Sequence, residues 1–220
     1  ANDGSIFTTG TGSVIRSAGS SSYDGNLTLN SALRLTGGTH VFADGVTLNG
    51  TGSVVHDNAT VTMNNVTANV PYALAAGRTL TLAAGKTLTV SGGMTVNTGF
   101  FLPSTITGGG TLEIPAAQTL LFNSNDSQFF HFNNVTVNNA GTFQLNGSTS
   151  NNAVVLNNGA VFNNQAGGQI LFSQPGNTLG TSSGIGTLNN SGTIASSGGN
   201  NATLTMSVFN ANNGSIFDAG

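Results

Sequence analysis

Residues 27–30 read LTLN, residues 46–49 read VTLN and residues 66–69 read VTAN. In each stretch apolar residues alternate with Thr or Asn, which is the two-residue period of a β-strand. Similar stretches follow at 79–82, 87–90, 135–138 and 203–206. The first three begin 19 and 20 residues apart, at positions 27, 46 and 66, so the chain is built on a short repeat.

Pairs of turn-forming residues separate these strands, for example DG at 24–25, GG at 37–38, DG at 44–45 and GG at 92–93. Such pairs supply positive-φ positions at low cost and indicate corners. A sandwich needs longer strands, of about 5–6 residues, so stacked coils are the simpler solution. The sequence therefore predicts an all-β fold, a parallel β-solenoid with about eleven coils of about 19–20 residues.

Composition indicates one elongated unit over residues 1–220, because no shift in composition marks a boundary between two unlike domains. Three stretches break the rhythm, at 17–25, 123–132 and 173–186, and we predict that they protrude as loops. Phe122, Phe143 and Phe162 are spaced as expected for one aromatic column inside the solenoid. Asn pairs at 133–134, 151–152 and 163–164 predict ladders of amides between successive coils.

The chain is nearly uncharged: 5% of its residues are charged, against roughly 25% in an ordinary domain. With 37% apolar residues it can fill a narrow core, and amides and hydroxyls must then cover the surface. The four cations, Arg16, Arg34, Arg78 and Lys86, are unclustered, which argues against nucleic-acid binding. The longest apolar run, 70–76, falls short of the ~20 residues that cross a bilayer, so we expect no membrane insertion.

Catalytic carboxylates are sparse. Polysaccharide cleavage needs two carboxylates about 5–9.5 Å apart, and the chain has one Glu, Glu113, with six scattered Asp. Asp24 and Asp44 are the best candidates for a stacked pair, yet each precedes a Gly and reads first as a turn. The sequence therefore predicts no enzyme, no catalytic residues and no cofactor.

The histidines, His40, His56 and His131, share no metal-ligand spacing, and the chain has no Cys. We therefore predict no metal site and interpret the three as surface residues. His131 stands between two phenylalanines, so strand alternation turns it to the opposite side from both rings. A small polar loop site with Asp126 and Gln128 is the alternative interpretation.

Thr-x-Thr pairs occur at Thr60/Thr62, Thr79/Thr81, Thr87/Thr89 and Thr203/Thr205. Ranks of this kind resemble those on ice-binding β-solenoids, where the pairs lie on one face of consecutive coils. The pairs here skip coils and occur twice within one stretch. We therefore interpret them as solvent-facing strand residues, a place where Thr is favoured, and keep ice binding as an alternative.

Several stretches resemble the repeats of filamentous-haemagglutinin-like adhesins and autotransporter passenger domains: GIGTLNNSGTI at 184–194, GGGTL at 108–112, NNAGTF at 138–143 and AGKTLT at 84–89. The resemblance implies a right-handed parallel β-helix outside a Gram-negative bacterium, with a role in adhesion, aggregation or biofilm formation. It also implies a secreted or cell-surface location, which the Cys-free, Lys-poor composition fits.

The two ends of the sequence are alike, because ANDGSIF at 1–7 recurs as ANNGSIF at 211–217. Like coils can continue one another's hydrogen-bond ladder, so we predict head-to-tail contact with like subunits or flanking repeats. The candidate contact residues are Asn2, Ile6, Phe7, Asn213, Ile216 and Phe217.

Taken together, these features predict a non-enzymatic extracellular structural or adhesive fibre segment, with host or matrix glycans as candidate partners. A carbohydrate-binding or carbohydrate-cleaving β-helix is the first alternative, although its expected aromatic groove would have to use Tyr23 and Tyr72, which are far apart. An ice-binding solenoid is the second.

Overall fold

The computed structural model describes residues 5–7, 14–99, 102–124, 128–147, 153–197, 201–212 and 214–218, with the backbone alone at 5–7, 216 and 218. Within these ranges the chain forms 29 strands, numbered β1 to β29 in chain order, and no helix. The strands are short because a corner interrupts the chain every few residues.

Three parallel sheets, called A, B and C, share these strands. Sheet A contains β1 Ser5–Phe7, β4 Leu27–Leu29, β7 Val46–Asn49, β10 Val66–Ala68, β13 Thr87–Thr89, β16 Thr111–Ile114, β19 Thr136–Asn139, β22 Val161–Asn164, β25 Thr187–Asn190 and β28 Val208–Ala211. Sheet B contains β2 Val14–Ser17, β5 Ala32–Leu35, β8 Ser53–His56, β11 Tyr72–Leu74, β14 Met94–Thr98, β17 Thr119–Ser124, β20 Thr142–Gly147, β23 Gln169–Phe172, β26 Thr193–Ser196 and β29 Ile216–Asp218. Sheet C contains β3 Ser21–Tyr23, β6 Thr39–Phe42, β9 Thr60–Met63, β12 Thr79–Leu82, β15 Ser104–Thr107, β18 Phe129–Asn133, β21 Ala153–Asn157, β24 Thr178–Gly180 and β27 Thr203–Thr205.

Neighbours in every sheet are three strands apart in the chain, so each coil gives one strand to each sheet. The predicted all-β parallel solenoid is thereby confirmed, while its right-handed winding stays a prediction. The predicted number of coils, about eleven, is wrong: sheets A and B each hold ten strands and sheet C holds nine. At ~4.8 Å between layers, ten layers rise by about 43 Å.

The coils are longer than predicted and their length varies. Val46 pairs with Val66, twenty residues on, whereas Phe162 pairs with Leu188, twenty-six residues on. The later coils contain longer strands, such as the six-residue β17 and β20. Paired residues of the first coils lie 18 to 22 positions apart, so a repeat of 19–20 residues describes those coils approximately and the middle coils not at all.

The three stretches predicted to protrude as loops each contribute a strand to sheet C. Residues 17–25 contain β3, residues 123–132 contain most of β18, and residues 173–186 contain β24. These strands read SSY, FFHFN and TLG, which lack the clear alternation of apolar residues with Thr seen elsewhere. Pairing holds them in the sheet: β18 and β24 pair with the layers on both sides, and β3, the end strand, pairs with β6.

Apolar side chains alternate into one continuous core along every sheet. Phe122, Phe143 and Phe162 are all fully buried, but the predicted single column is wrong, since Phe122 and Phe143 occupy different columns of sheet B and Phe162 lies in sheet A. The ring centroids of Phe143 and Phe162 are 5.1 Å apart, and both rings lie about 6 Å from Phe132 of sheet C. The aromatic residues thus connect all three sheets across the wider coils.

Asparagine ladders run along sheet A on both of its faces. On the inner face Asn139, Asn164 and Asn190 are buried, and each amide bonds the next at 2.8 and 2.6 Å. On the outer face Asn163 donates to Asn138 and accepts from Asn189, at 2.8 Å in each case. The ladder predicted at 163–164 is confirmed, as is one at Asn133, which accepts from Asn158. The pair at 151–152 lies outside the described residues.

We predict that Asn164→Ala destabilises the fold more than Asn163→Ala. The Asn164 amide donates to Asn190 and to the carbonyl of Thr193 and accepts from Asn139, so its removal leaves buried polar groups without partners, at a cost of about 2–4 kcal/mol. The neighbouring Asn163 is half-buried and water can replace its bonds, so its loss costs about 1 kcal/mol. Urea unfolding followed by circular dichroism measures both, and equal costs would contradict the inner ladder's role.

Candidate functional site

The outer face of sheet C carries two aligned columns of small hydroxyl-bearing side chains. Register places Thr60 beside Thr79 and Thr79 beside Thr105 in one column; Thr62, Thr81 and Thr107 align in the other. The pair Thr105/Thr107 was missed in the sequence, and with it the Thr-x-Thr pairs occupy three consecutive layers. The expectation that the pairs skip coils is therefore wrong for this sheet.

The same two columns continue towards the start of the chain. Thr39 and Val41 lie beside Thr60 and Thr62. Ser22 lies beside Val41, and the hydroxyl of Ser20 accepts a hydrogen bond from the backbone N–H of Thr39 at 3.1 Å. The remaining pairs lie apart from this surface, since Thr87/Thr89 belong to sheet A and Thr203/Thr205 to the last strand of sheet C.

The threonine columns end at strand β18, the next layer of sheet C, which carries the outward-facing rings of Phe129 and His131. His131 aligns with Thr105, and its ring lies 5.9 Å from Phe129, which is 46% exposed. His131 contacts the amide of Asn157 at 3.2 Å, and burial lowers the pKa of its imidazole. Its orientation away from Phe130 and Phe132 is confirmed, because both of those rings are buried in the core. Gln128 is also buried, and Asp126 lies outside the described residues.

The other two histidines are inside the solenoid, so their interpretation as surface residues is wrong. His40 and His56 are fully buried. Each ring bonds a tyrosine hydroxyl through Nδ1 and a backbone carbonyl through Nε2: Tyr23 and Gly37 for His40, Tyr72 and Ala59 for His56. A neutral imidazole satisfies both bonds, with Nε2–H donating and Nδ1 accepting.

These bonds also remove both tyrosines from the surface. Tyr23 and Tyr72 are buried, and burial raises the pKa of the Tyr72 hydroxyl. An aromatic groove for sugars therefore cannot be built from them. No signal in the sequence pairs Tyr with His over 16 or 17 positions, since the partners come from different coils.

Three carboxylates, those of Asp44, Asp57 and Glu113, are engaged in contacts between layers. The Asp44 carboxylate accepts hydrogen bonds from Lys86 at 2.8 Å and from the side-chain amide of Asn65 at 3.0 Å. The hydrogen bond from Lys86 is the main cause that lowers the pKa of Asp44. Asp57 pairs with Arg34 at 2.8 Å, and Glu113 accepts from the amide of Asn138 at 2.6 Å. Asp24 is not part of either ion pair. Among the residues that the structure describes, no three His, Asp or Glu side chains form a metal-binding group.

A shallow cavity of about 340 Å³ lies on the outside of sheet B, near the corner that leads from sheet A. Pro71, Gly92, Thr95, Gln118 and Leu121 are among its lining residues. All ten described residues of its lining are uncharged. The cavity therefore offers no pair of carboxylates for glycoside cleavage.

The last layer exposes the end of the core. Phe209 is 40% exposed and Phe217 is 56% exposed, and their ring centroids lie 6.0 Å apart. One layer earlier, Leu188 and Ile194 occupy the same columns and are buried. Of the predicted contact residues, Phe217 thus lies on this end surface. Asn2 and Asn213 lie outside the described residues, and Ile6, Phe7 and Ile216 are described by their backbone alone.

Comparison with known proteins adds no family to this description. No protein-family model, curated protein or solved structure matches the chain. Over the described residues, no helix has the length and apolar character to cross a membrane.

We predict that the fold loses stability as the pH falls from about 7 to 5. Burial is the main cause that lowers the pKa of His56, so the unfolded chain takes up a proton near pH 6.5 that the folded chain resists. The stability is therefore complete above the unfolded pKa and is lost as the pH falls through the lower folded pKa. The slope is at most about 1.4 kcal/mol per pH unit for one proton.

Urea unfolding at pH 7.5, 6.5 and 5.5 measures this slope in the parent chain and in His56→Phe. The substitution removes the His56 ring and should reduce the slope, while His131, whose pKa burial also lowers, and the carboxylates titrate alike in both chains. A parent profile that is flat across this range, or a slope unchanged in His56→Phe, contradicts the prediction.

Proposed function

We propose that the chain is a non-enzymatic structural and adhesive segment of an extracellular bacterial fibre, in which coils continue head to tail. The coils that follow belong to the continuing chain or to a second copy. The observation that carries the proposal is the exposed last layer, where the apolar columns of the core end on Phe209 and Phe217.

The end surface is suited to a further coil. Among the strands that the structure describes, β27, β28 and β29 each pair with a strand on one side only, which leaves the other backbone edge without a described strand. Open edges beside apolar side chains favour the addition of another layer, since pairing supplies backbone hydrogen bonds and burial removes the rings from water. The outer Asn ladder ends on Asn210, which is exposed and bonds Asn189 at 2.7 Å.

The exterior also supports a mechanical role. Its amide ladders and the ion pairs of Asp44 and Asp57 join one layer to another, so polar side chains on the surface add cross-layer contacts to those of the core. A net charge of −3 over 220 residues produces little repulsion between neighbouring rods. Rods of this kind can pack or adhere side by side with weak dependence on salt.

The proposals of adhesion and of an extracellular location rest on the repeats that resemble those of bacterial adhesins and on the amide-rich surface.

Beads that carry the chain should be retained on a glycan-bearing matrix, or should clump with one another, more than beads that carry an unrelated soluble protein. Equal behaviour of the two bead types argues against the adhesive part of the proposal.

We predict that the isolated 220-residue chain elongates as its concentration rises, and that Phe209→Lys reduces this elongation. Burying one Phe contributes about 1.5–3 kcal/mol, so its loss lowers the association constant about tenfold or more. Light scattering and negative-stain electron microscopy measure the length of the particles.

Phe129→Lys is the matched control, because Phe129 is similarly exposed but lies on the side of the solenoid. This variant should elongate like the parent chain. A parent chain that remains monomeric at every concentration, or a control that loses elongation equally, overturns non-covalent assembly and leaves continuation within a longer chain as the form of the fibre.

A further inference from the structure

The outer face of sheet C between residues 20 and 107 forms a regular array of small side chains. Five consecutive layers each present two residues, separated by one inward-facing residue. The pairs, in layer order, are Ser20/Ser22, Thr39/Val41, Thr60/Thr62, Thr79/Thr81 and Thr105/Thr107. Hereafter these ten residues are called the threonine face.

Strand geometry gives the threonine face two repeat distances. Layers of a parallel sheet are ~4.8 Å apart, and residues i and i+2 of one strand are ~6.6 Å apart. Five layers therefore cover about 19 Å along the solenoid axis. Most of the ten side chains are β-branched and have few allowed χ1 rotamers in a strand, so neighbouring layers present hydroxyl and methyl groups in the same way.

Five hydroxyls in the three threonine-rich layers of this face are available to water. Thr39, Thr60 and Thr79 are exposed, and Thr62 and Thr81 are half-exposed. Among the described residues, the hydroxyls of Thr60, Thr62, Thr79, Thr81 and Thr105 make no hydrogen bond within the protein. The hydroxyl of Thr107, in the last layer of the face, accepts from Asn133 at 3.4 Å.

Charge is absent from this sheet and present on the other two. The nine described strands of sheet C contain no Asp, Glu, Lys or Arg. Sheet B carries Arg16 and Arg34 on adjacent strands, and sheet A carries Glu113. Arg78 borders the face next to Thr79 and is bonded to Asn58 at 2.7 Å, so one cation lies at this edge of the face. A face with no charge in its strands does not favour phosphate, nucleic acid or acidic polymers, whose binding depends on several cations. The regular spacing and the uncharged strands instead suit an uncharged surface that repeats in two dimensions.

We propose that the threonine face binds ice. The oxygen lattice on the prism surface of ice repeats at distances comparable with the two spacings of the face. Hydroxyls at these positions can replace lattice water in hydrogen bonds, and the methyl groups between them order the first shell of water. Soluble glycans fit less well, since the face lacks an aromatic ring for stacking until Phe129, beyond its last layer.

Sheet A provides an internal comparison. Thr87, Thr111 and Thr136 also align in an outward column. The column beside them contains Glu113, which accepts from Asn138, so that surface carries a charge and its amides are bonded to one another. Ice binding is therefore assigned to sheet C and not to every row of threonines.

The test measures how the chain partitions into slowly growing ice, together with thermal hysteresis and the shape of single ice crystals. The parent chain should be enriched several-fold in the ice fraction over an unrelated protein of similar size, and should facet the crystals. Thr81→Lys, at the centre of the face, should abolish both effects, because its long charged side chain keeps the ice surface away.

Thr136→Lys on sheet A is the matched control, because Thr136 is likewise half-buried, outward-facing and flanked by a Thr neighbour. It should retain the activity of the parent chain. Circular dichroism and the unfolding midpoint establish that both variants fold. If Thr81→Lys unfolds, the smaller change Thr79→Ala takes its place and should weaken enrichment.

Three results would overturn the inference: no enrichment or faceting by the parent chain, an equal loss in Thr136→Lys, or retained activity in Thr81→Lys. Retention on an insoluble polysaccharide that is lost in Thr81→Lys, without ice enrichment, identifies the face as a glycan surface instead. Elongation of Thr81→Lys should equal that of the parent chain, so a failure of fibre assembly and a failure of ice binding are distinguishable.

Discussion

Pairing of each inner strand with the layer above and the layer below is the constraint on which the rest of the structure depends. Parallel pairing fixes which residues of successive coils lie beside one another, and it repeats that alignment from layer to layer. An inward position must then suit the same narrow interior in each coil. Leu, Val, Ile and Phe meet this demand by burial, and most buried polar residues meet it through a hydrogen-bond partner in their own or a neighbouring coil.

The polar residues in the interior follow this rule in two ways. Asn139, Asn164 and Asn190 occupy consecutive layers, so each amide finds another amide at the layer spacing. His56 has no histidine beside it in the adjacent layers. Its ring instead bonds the hydroxyl of Tyr72 and the backbone carbonyl of Ala59. A buried ladder satisfies its inner groups through repetition and leaves the Asn139 oxygen at its first rung unbonded, whereas a buried His–Tyr pair needs two particular residues and is sensitive to protonation.

The sequence predicted the strands and their stacking because alternation of apolar residues with Thr is a local signal. The number of coils could not be read in the same way, since coil length depends on corners whose residues carry little pattern. The spacing from Thr60 to Thr79 is 19 residues, but the spacing from Thr79 to Thr105 is 26, although all three are neighbours in one column. A prediction that assumes a constant period therefore assigns the Thr pairs to non-adjacent coils. For the same reason it predicts loops where the structure has the strands Ser21–Tyr23 and Thr178–Gly180.

End-to-end assembly and binding at the side of the solenoid can be independent, because the first involves surfaces along the axis and the second involves side chains that project perpendicular to it. Contacts at Phe209 and Phe217 act along the axis, while the side chains of sheet C project across it. The outer positions of a strand have no role in the core, so each sheet can carry its own chemistry: charged on sheets A and B, neutral on sheet C. The threonine face lies in the first half of the chain and the exposed layer at the end of the second. Copies joined end to end would therefore leave each threonine face open and repeat it along the fibre, with the aromatic and amide-rich layers of the second half between them.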